Sequence, residues 1–304
     1  MRSSLARFAL ARLGIASLFV LVVAASAFLL VQLAPGDATT DLFLNRVDQP
    51  AIDAARHRLG LDQPVAAQLA HWVGGLARFD LGQSSKFGAP VAGLLANRLA
   101  NTASLAALAL LMALVGIPLG ILTGARPRGL LARVVSVVSV ALVCCPPIVG
   151  TLALLFFGAA TGWLSVAPDH LMLPALALAL PLAAMLERLQ SQAVAQAMRA
   201  PDIVAAAARG IPAWRLIWLH AGRHALRSVL GVSGIVIATL FSGSVAVETM
   251  TAWPGLGRLM LDALSGRDLY LVAGCAMAGA AMVAAGNLIA DLLRAASDPR
   301  VVRA

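Results

Sequence analysis

Two runs of this chain stay uncharged for longer than a water-soluble fold tolerates. Arg98 and Arg126 are separated by 27 uncharged residues, and the 35 residues 134–168 carry no charge at all. A helix needs ~20 apolar residues to cross a hydrocarbon core of ~30 Å. Six stretches meet that need: 13–33, the interval between Arg98 and Arg126, a segment within 134–168, 170–186, 228–247 and 269–290. The fourth holds Pro174 and Pro181 and is expected to be a kinked span, since neighbouring groups in a bundle can satisfy the carbonyls that proline leaves free. Only 12% of the residues are charged, against roughly 25% in ordinary soluble domains. The expected fold is an all-α membrane protein of six transmembrane helices.

Arginine placement gives the orientation. Of 23 basic residues 22 are Arg, and Lys86 is the sole lysine. With the N-terminus inside, the inner segments hold 15 basic and four acidic residues, and the outer ones 8 basic and 10 acidic. Basic residues accumulate on the cytoplasmic side, so both termini are expected inside. The net charge of +9 does not indicate nucleic-acid binding, because the arginines sit between apolar runs rather than on one soluble face. A competing reading of the N-terminus is a cleaved signal peptide ending at Ala25-Ser26-Ala27, but the apolar run continues through Val31, longer than a signal core. Cys144, Cys145 and Cys275 lack metal or disulfide spacing and are expected to be small core residues.

Three domains follow: 1–33, an N-terminal membrane helix; 34–99, an external loop in which His57–Leu61 and Gln68–Ala77 read as short amphipathic helices; and 100–304, a five-span core with a long inner loop at 187–227. No lysine follows glycine, so there is no phosphate loop of the G-x-x-x-x-G-K type, and any ATP must be bound by another polypeptide. His220 and His224, four residues apart, lack a third metal ligand and read as a solvated or headgroup-facing pair. Glu248, at the outer end of the fifth span, and Asp291, at the inner end of the sixth, are the few acids near the spans. That scarcity argues against a proton- or sodium-coupled secondary transporter and against a membrane enzyme, the readings from another class.

The inner loop has its own order. Asp202 is placed to cap a helix over 203–209, Gly210 to end it at positive φ, and Pro212 to open the next helix. In that second helix Trp214, Ile217, Trp218 and Ala221 fall on one apolar stripe.

With these motifs assembled, the chain resembles the inner-membrane permease of binding-protein-dependent ABC importers, in the dipeptide/oligopeptide/nickel branch. The resemblance is carried in order by Leu33-Ala34-Pro35-Gly36-Asp37, Leu59-Gly60-Leu61-Asp62-Gln63-Pro64, Asp80-Leu81-Gly82-Gln83-Ser84, His170-Leu171-Met172-Leu173-Pro174-Ala175-Leu176, Val247-Glu248-Thr249, Trp253-Pro254-Gly255-Leu256-Gly257-Arg258 and Asp298-Pro299-Arg300. It implies that 187–227 is a coupling loop that docks an ATPase through Asp202, Ala205, Ala206, Ala208, Arg209, Gly210, His220 and Arg223. It also implies that Glu248, Trp253, Pro254, Gly255 and Gly257 form the family's outer segment. Val204 stands where the general motif has glutamate, Asp202 is one residue late, and Ser228 replaces a proline. The implied partners are a homologous second permease, two ATPases, an external binding protein and membrane lipid, with no nucleic acid. No cofactor or metal is expected on this chain, ATP and Mg being held by the ATPases. The implied location is a bacterial inner membrane, and the implied cargo a small peptide; nickel or a metal chelate is the alternative within the family.

Overall fold

The computed structural model describes residues 2–33 and 62–297, together with positions 50 and 57. The sequence elements at Ala34–Asp37, Arg58–Leu61 and Asp298–Arg300 lie outside the described residues. The described chain is nearly all helical, and an isolated bridge between Gln83 and Pro90 is its sole β pairing among those residues. In order come α1 (Arg2–Leu33), α2 (Val65–Leu76), α3 (Val91–Ala113), α4 (Gly116–Ala125), α5 (Leu130–Cys144), α6 (Pro147–Thr161), α7 (Met172–Ala197), α8 (Pro201–Ala208) and α9 (Ala213–Arg215). A π-helical segment, Leu216–Ala221, leads to α10 (Gly222–Gly231), α11 (Ser233–Met250), α12 (Leu256–Ser265) and α13 (Leu269–Ser297).

Among the described residues five stretches are long and apolar enough to cross a membrane: Ala9–Leu33, Val91–Ala125, Met172–Ala197, Ser233–Met250 and Leu269–Leu292. The expected third span is instead a broken pair, α5 and α6, bent by 109°. Pro146 and Pro147 sit at the break, and neither can donate the backbone bond that would carry the helix on. Other boundaries move too. Helix α3 starts at Val91, inside the expected external loop, and takes Arg98 into its body. Helix α7 runs eleven residues past Leu186, into the expected inner loop. Helix α11 begins at Ser233, after a break at Val232. The expected helix over 68–77 is present as α2. Cys275 is buried as expected, but Cys144 is exposed, because it faces out at the end of α5.

The chain divides into two compact units. One comprises Met1–Leu10, Ser104–Trp253 and Gly286–Ala304. Its centre is α7, packed along α4 by a stripe of glycines. A β-carbon on Gly116, Gly120 or Gly124 would land on the main-chain oxygen of Ala183, Glu187 or Ser191 respectively. Small residues every fourth position let two helix backbones meet closely, which is how helices associate where lipid removes the hydrophobic driving force. Leu105, Leu178, Leu182, Val236 and Leu240 fill the adjoining core. Glu248 and Trp253 are buried in this unit.

The other unit comprises Ala11–Ala103 and Pro254–Ala285. Phe28 of α1 packs on Trp72 at 5.7 Å and Tyr270 at 6.4 Å between ring centroids. Asp268, 1% exposed, gathers the loop before α3. Its carboxylate accepts from Ser84 Oγ (2.5 Å) and the Lys86 N–H (3.1 Å), and caps α13 by accepting from the Leu271 N–H (3.1 Å). The outer-segment residues of this unit have defined jobs. Asn101 Nδ2 donates to the Pro254 carbonyl (2.8 Å), and the Leu256 N–H donates to Thr102 Oγ1 (2.8 Å). Gly255 is extended at the N-cap of α12, and Gly257 is buried in its first turn.

Candidate functional site

The loop after α7 folds as a compact knob. Helix α8 starts with Pro201 at its first position and Ala200 as N-cap, so Asp202 lies in the first turn rather than capping it. The reason is that proline, which needs no donor, takes the first helical place itself. Asp202 still puts a negative charge at the positive end of the helix. At the other end the sequence expectation holds: Gly210 has φ +82°. The Gly210 N–H donates to the Ala207 carbonyl (3.0 Å) and the Ile211 N–H to the Ala206 carbonyl (3.3 Å). This is a Schellman ending, and Ile211 completes it by packing beside Ala206.

Pro212 is the N-cap of α9 and does not enter the helix. The expected stripe holds in half: Ala221 is buried and Ile217 is partly buried against the core, while Trp214 is 56% and Trp218 41% exposed and Leu216, off the stripe, is buried. The cause is the π segment. Bonds from i to i+5 bring residues five apart onto one side, so Leu216 and Ala221 face the core together, with Ile217 partly buried against it and Trp214 and Trp218 turned out. Ile203, Ala206, Leu216, Ala221 and Ala225 then pack on Ile121 of α4 and Val194 of α7.

Of the coupling-loop residues expected from the sequence, Asp202, Ala205, Ala208, Arg209, Gly210, His220 and Arg223 are exposed and Ala206 is buried. Ala206 is therefore an internal packing residue. The outward face adds Val204, Trp214, Trp218 and Leu219. Arg215 lies 5.2 Å from the Trp214 ring centre, a cation–π pair. His224 Nε2 is 4.0 Å from Asp202 Oδ2, and His220 Nδ1 is 3.0 Å from the Arg215 carbonyl. The two histidines thus have different partners. Among the described residues no group of three or more His, Cys, Asp or Glu is placed to hold a metal.

Sequence reading missed the buried polar residues that tie α7 to its neighbouring helices. Glu187, assigned to the loop because it is charged, is 3% exposed inside α7. Its carboxylate accepts from Thr123 Oγ1 of α4 (2.7 Å) and Ser139 Oγ of α5 (2.8 Å). Gln190, fully buried, donates from Nε2 to the Gly222 carbonyl at 3.4 Å. The sequence signal was present in part: Gly116, Gly120 and Gly124 form a small-xxx-small repeat within an apolar run.

Comparison with known proteins places the chain in a family. The family described as the binding-protein-dependent transport system inner membrane component matches residues 116–303, and the corresponding N-terminal family matches residues 5–106. A protein of Brucella abortus (strain 2308), named as a peptide transport system permease protein, is 36% identical over 301 residues, covering 92% of this chain and 94% of the relative. The oligopeptide transport system permease protein AppB of Bacillus subtilis (strain 168) is 30% identical over 291 residues, covering 90% of this chain and 92% of the relative. With both family segments matched and the relatives aligned over most of their length, this multi-pass inner-membrane chain belongs to the inner-membrane component family of binding-protein-dependent transport systems.

Proposed function

We propose that the chain is the permease subunit of an ABC importer for small peptides, and that the knob at 198–221 is where it engages its ATPase. Peptide as cargo is supported by the names of the relatives, which specify peptide and oligopeptide transport. The observation that carries the coupling role is the knob's two-sidedness. One side is locked to α4 and α7 through Ile121 and Val194; the other exposes Val204, Trp214, Trp218 and Leu219 among arginines. Exposed apolar patches of this kind, rimmed by charge, mark protein or membrane contacts, and the ATPase capture below separates the two. A rigid element docked on a moving partner can convert that partner's closure into displacement of the helices it is fastened to. ATP and its Mg would be bound by two ATPase subunits, and cargo would be delivered by an external binding protein to this chain paired with a second permease.

The experiment is pull-down of the ATPase together with peptide uptake, in variants whose membrane level matches wild type. Ala205→Glu and Ala208→Glu place charge on the exposed face of α8 and leave the buried side intact. Loss of ATPase capture and uptake in both is expected. Normal capture and normal uptake would refute the assignment.

A further inference from the structure

The unit built on α7 leaves a groove of about 340 Å³ along α3, α10, α11 and α13. Leu110, Leu114, Leu226, Leu230, Ile237 and Ile289 are among its walls, and among the described residues Ser233 is the single polar side chain lining it. That hydroxyl is already engaged. It donates to the Leu230 carbonyl (2.8 Å) and accepts from Arg294 Nε (3.2 Å). The groove therefore offers a ligand no hydrogen bond from its lining side chains. A peptide or irregular loop placed there would leave backbone groups unsatisfied, whereas an acyl chain has none to satisfy.

Charge lies further along α10, outside the residues that line the groove. Within α10, Arg223, Arg227 and Leu230 are spaced i, i+4, i+7 and share a face, so two guanidinium groups stand one and two turns before a groove-lining leucine. Both arginines are exposed, and neither has an acceptor among the described residues. Helix α10 carries no acidic residue, and the acid set against it is Asp202 of α8, 4.0 Å from His224 Nε2. Paired arginines beside an apolar slot complement a phosphate attached to a hydrocarbon tail.

We propose that this groove holds one acyl chain of an anionic phospholipid, with Arg223 and Arg227 binding its phosphate. The proposal rests on the functional reading above only in assigning the lipid to the cytoplasmic leaflet, the side given to 187–227. Binding itself does not depend on orientation.

The test uses the purified full-length chain in detergent, titrated with phosphatidylglycerol or phosphatidylcholine of identical acyl chains and read by native mass spectrometry. Wild type is expected to retain one phosphatidylglycerol in preference to phosphatidylcholine. Arg223→Gln with Arg227→Gln, both at exposed positions, should lower retention of phosphatidylglycerol on the order of tenfold and leave phosphatidylcholine unchanged. Ala107→Phe, an exposed residue lining the groove, should reduce both lipids by filling the slot. Equal retention of the two lipids by wild type, or retention unmoved by either variant, overturns the proposal. In the assembled importer, a photoactivatable acyl chain should label residues 226–241 and 286–290. Labelling absent there because the second permease covers the groove overturns it equally. Thiol labelling of Gln196→Cys in cells tests the orientation alone, so reversal of that result with lipid retention intact would fault only the assigned leaflet.

Discussion

Glu187 shows what an acidic side chain inside a membrane bundle requires. Its carboxylate is taken from water and is tolerated because Thr123 and Ser139, from two other helices, both donate to it. Unsatisfied buried polar groups cost about 1–3 kcal/mol each. Glu187→Gln keeps one acceptor and adds a donor, and a hydroxyl can rotate to accept, so a small loss of stability is expected. Glu187→Leu strands Ser139 and leaves Thr123 only its 3.3 Å bond to the Gly120 carbonyl. Thermal unfolding of the detergent-purified chain should rank wild type, Gln and Leu in that order. Equal midpoints for Leu and wild type would mean that the carboxylate contributes nothing to the joint. Gly210 poses a different residue-scale question. No heavy atom lies within 4 Å of where its β-carbon would be, so its φ is the only constraint. Gly210→Asn should be mild, while Gly210→Val carries a penalty of roughly 1–2 kcal/mol and re-aims the second half of the knob. ATPase capture should therefore fall for Val and persist for Asn.

At the scale of elements, the spans were legible and their joints were not. Long uncharged runs located the membrane helices because that signal is local. The end of α7 was misread because Glu187 looks like a boundary when its partners, 64 and 48 residues away in sequence, are invisible. The proline pair at 146–147 was visible, but a kinked single span and a 109° break look alike in a string of letters. The knob was legible as two short helices around Gly210. Its buried face was not, because a π segment is in effect one residue inserted into an α-helix and shifts every later residue in phase. This gives a prediction. Deleting Leu219, exposed and inside the π segment, should bring Leu216 and Ala221 to an i, i+4 spacing on one α-helix. Both would stay buried, and the thermal midpoint should stay close to that of wild type. Deleting Ala225, buried in the regular helix α10, has no such slack and should lower it sharply. Equal destabilisation by the two deletions would show that the π register is not what sets this packing.

For the whole molecule, the broken pair α5 and α6 makes the count of crossings depend on more than helix length. If the pair crosses the membrane, the described residues hold six spans; if it turns back, they hold five. Taking the N-terminus inside, the five-span alternative puts residues 162–171 inside and sends 187–227 outside. That would export Arg188, Arg199, Arg209, Arg215, Arg223 and Arg227 with only Glu187 and Asp202 as acids in the same segment. Such a loop is short enough for the positive-inside rule to apply, so six crossings are expected. The same arrangement is what the coupling role needs, since a knob on the outer face could not meet an ATPase. The check is labelling of single cysteines by an impermeant thiol reagent in intact cells. The background must lack the native thiols, because Cys144 is exposed. Exposed reporter positions are available at Gln83, Asp169 and Gln196. Six crossings expect labelling at Gln83→Cys and Asp169→Cys and protection at Gln196→Cys. Five expect labelling at Gln83→Cys and Gln196→Cys with protection at Asp169→Cys. Because Asp169 and Gln196 exchange states between the two outcomes, each result excludes the other arrangement. The five-span pattern would remove the ATPase-docking role from this loop however well the knob is built for it.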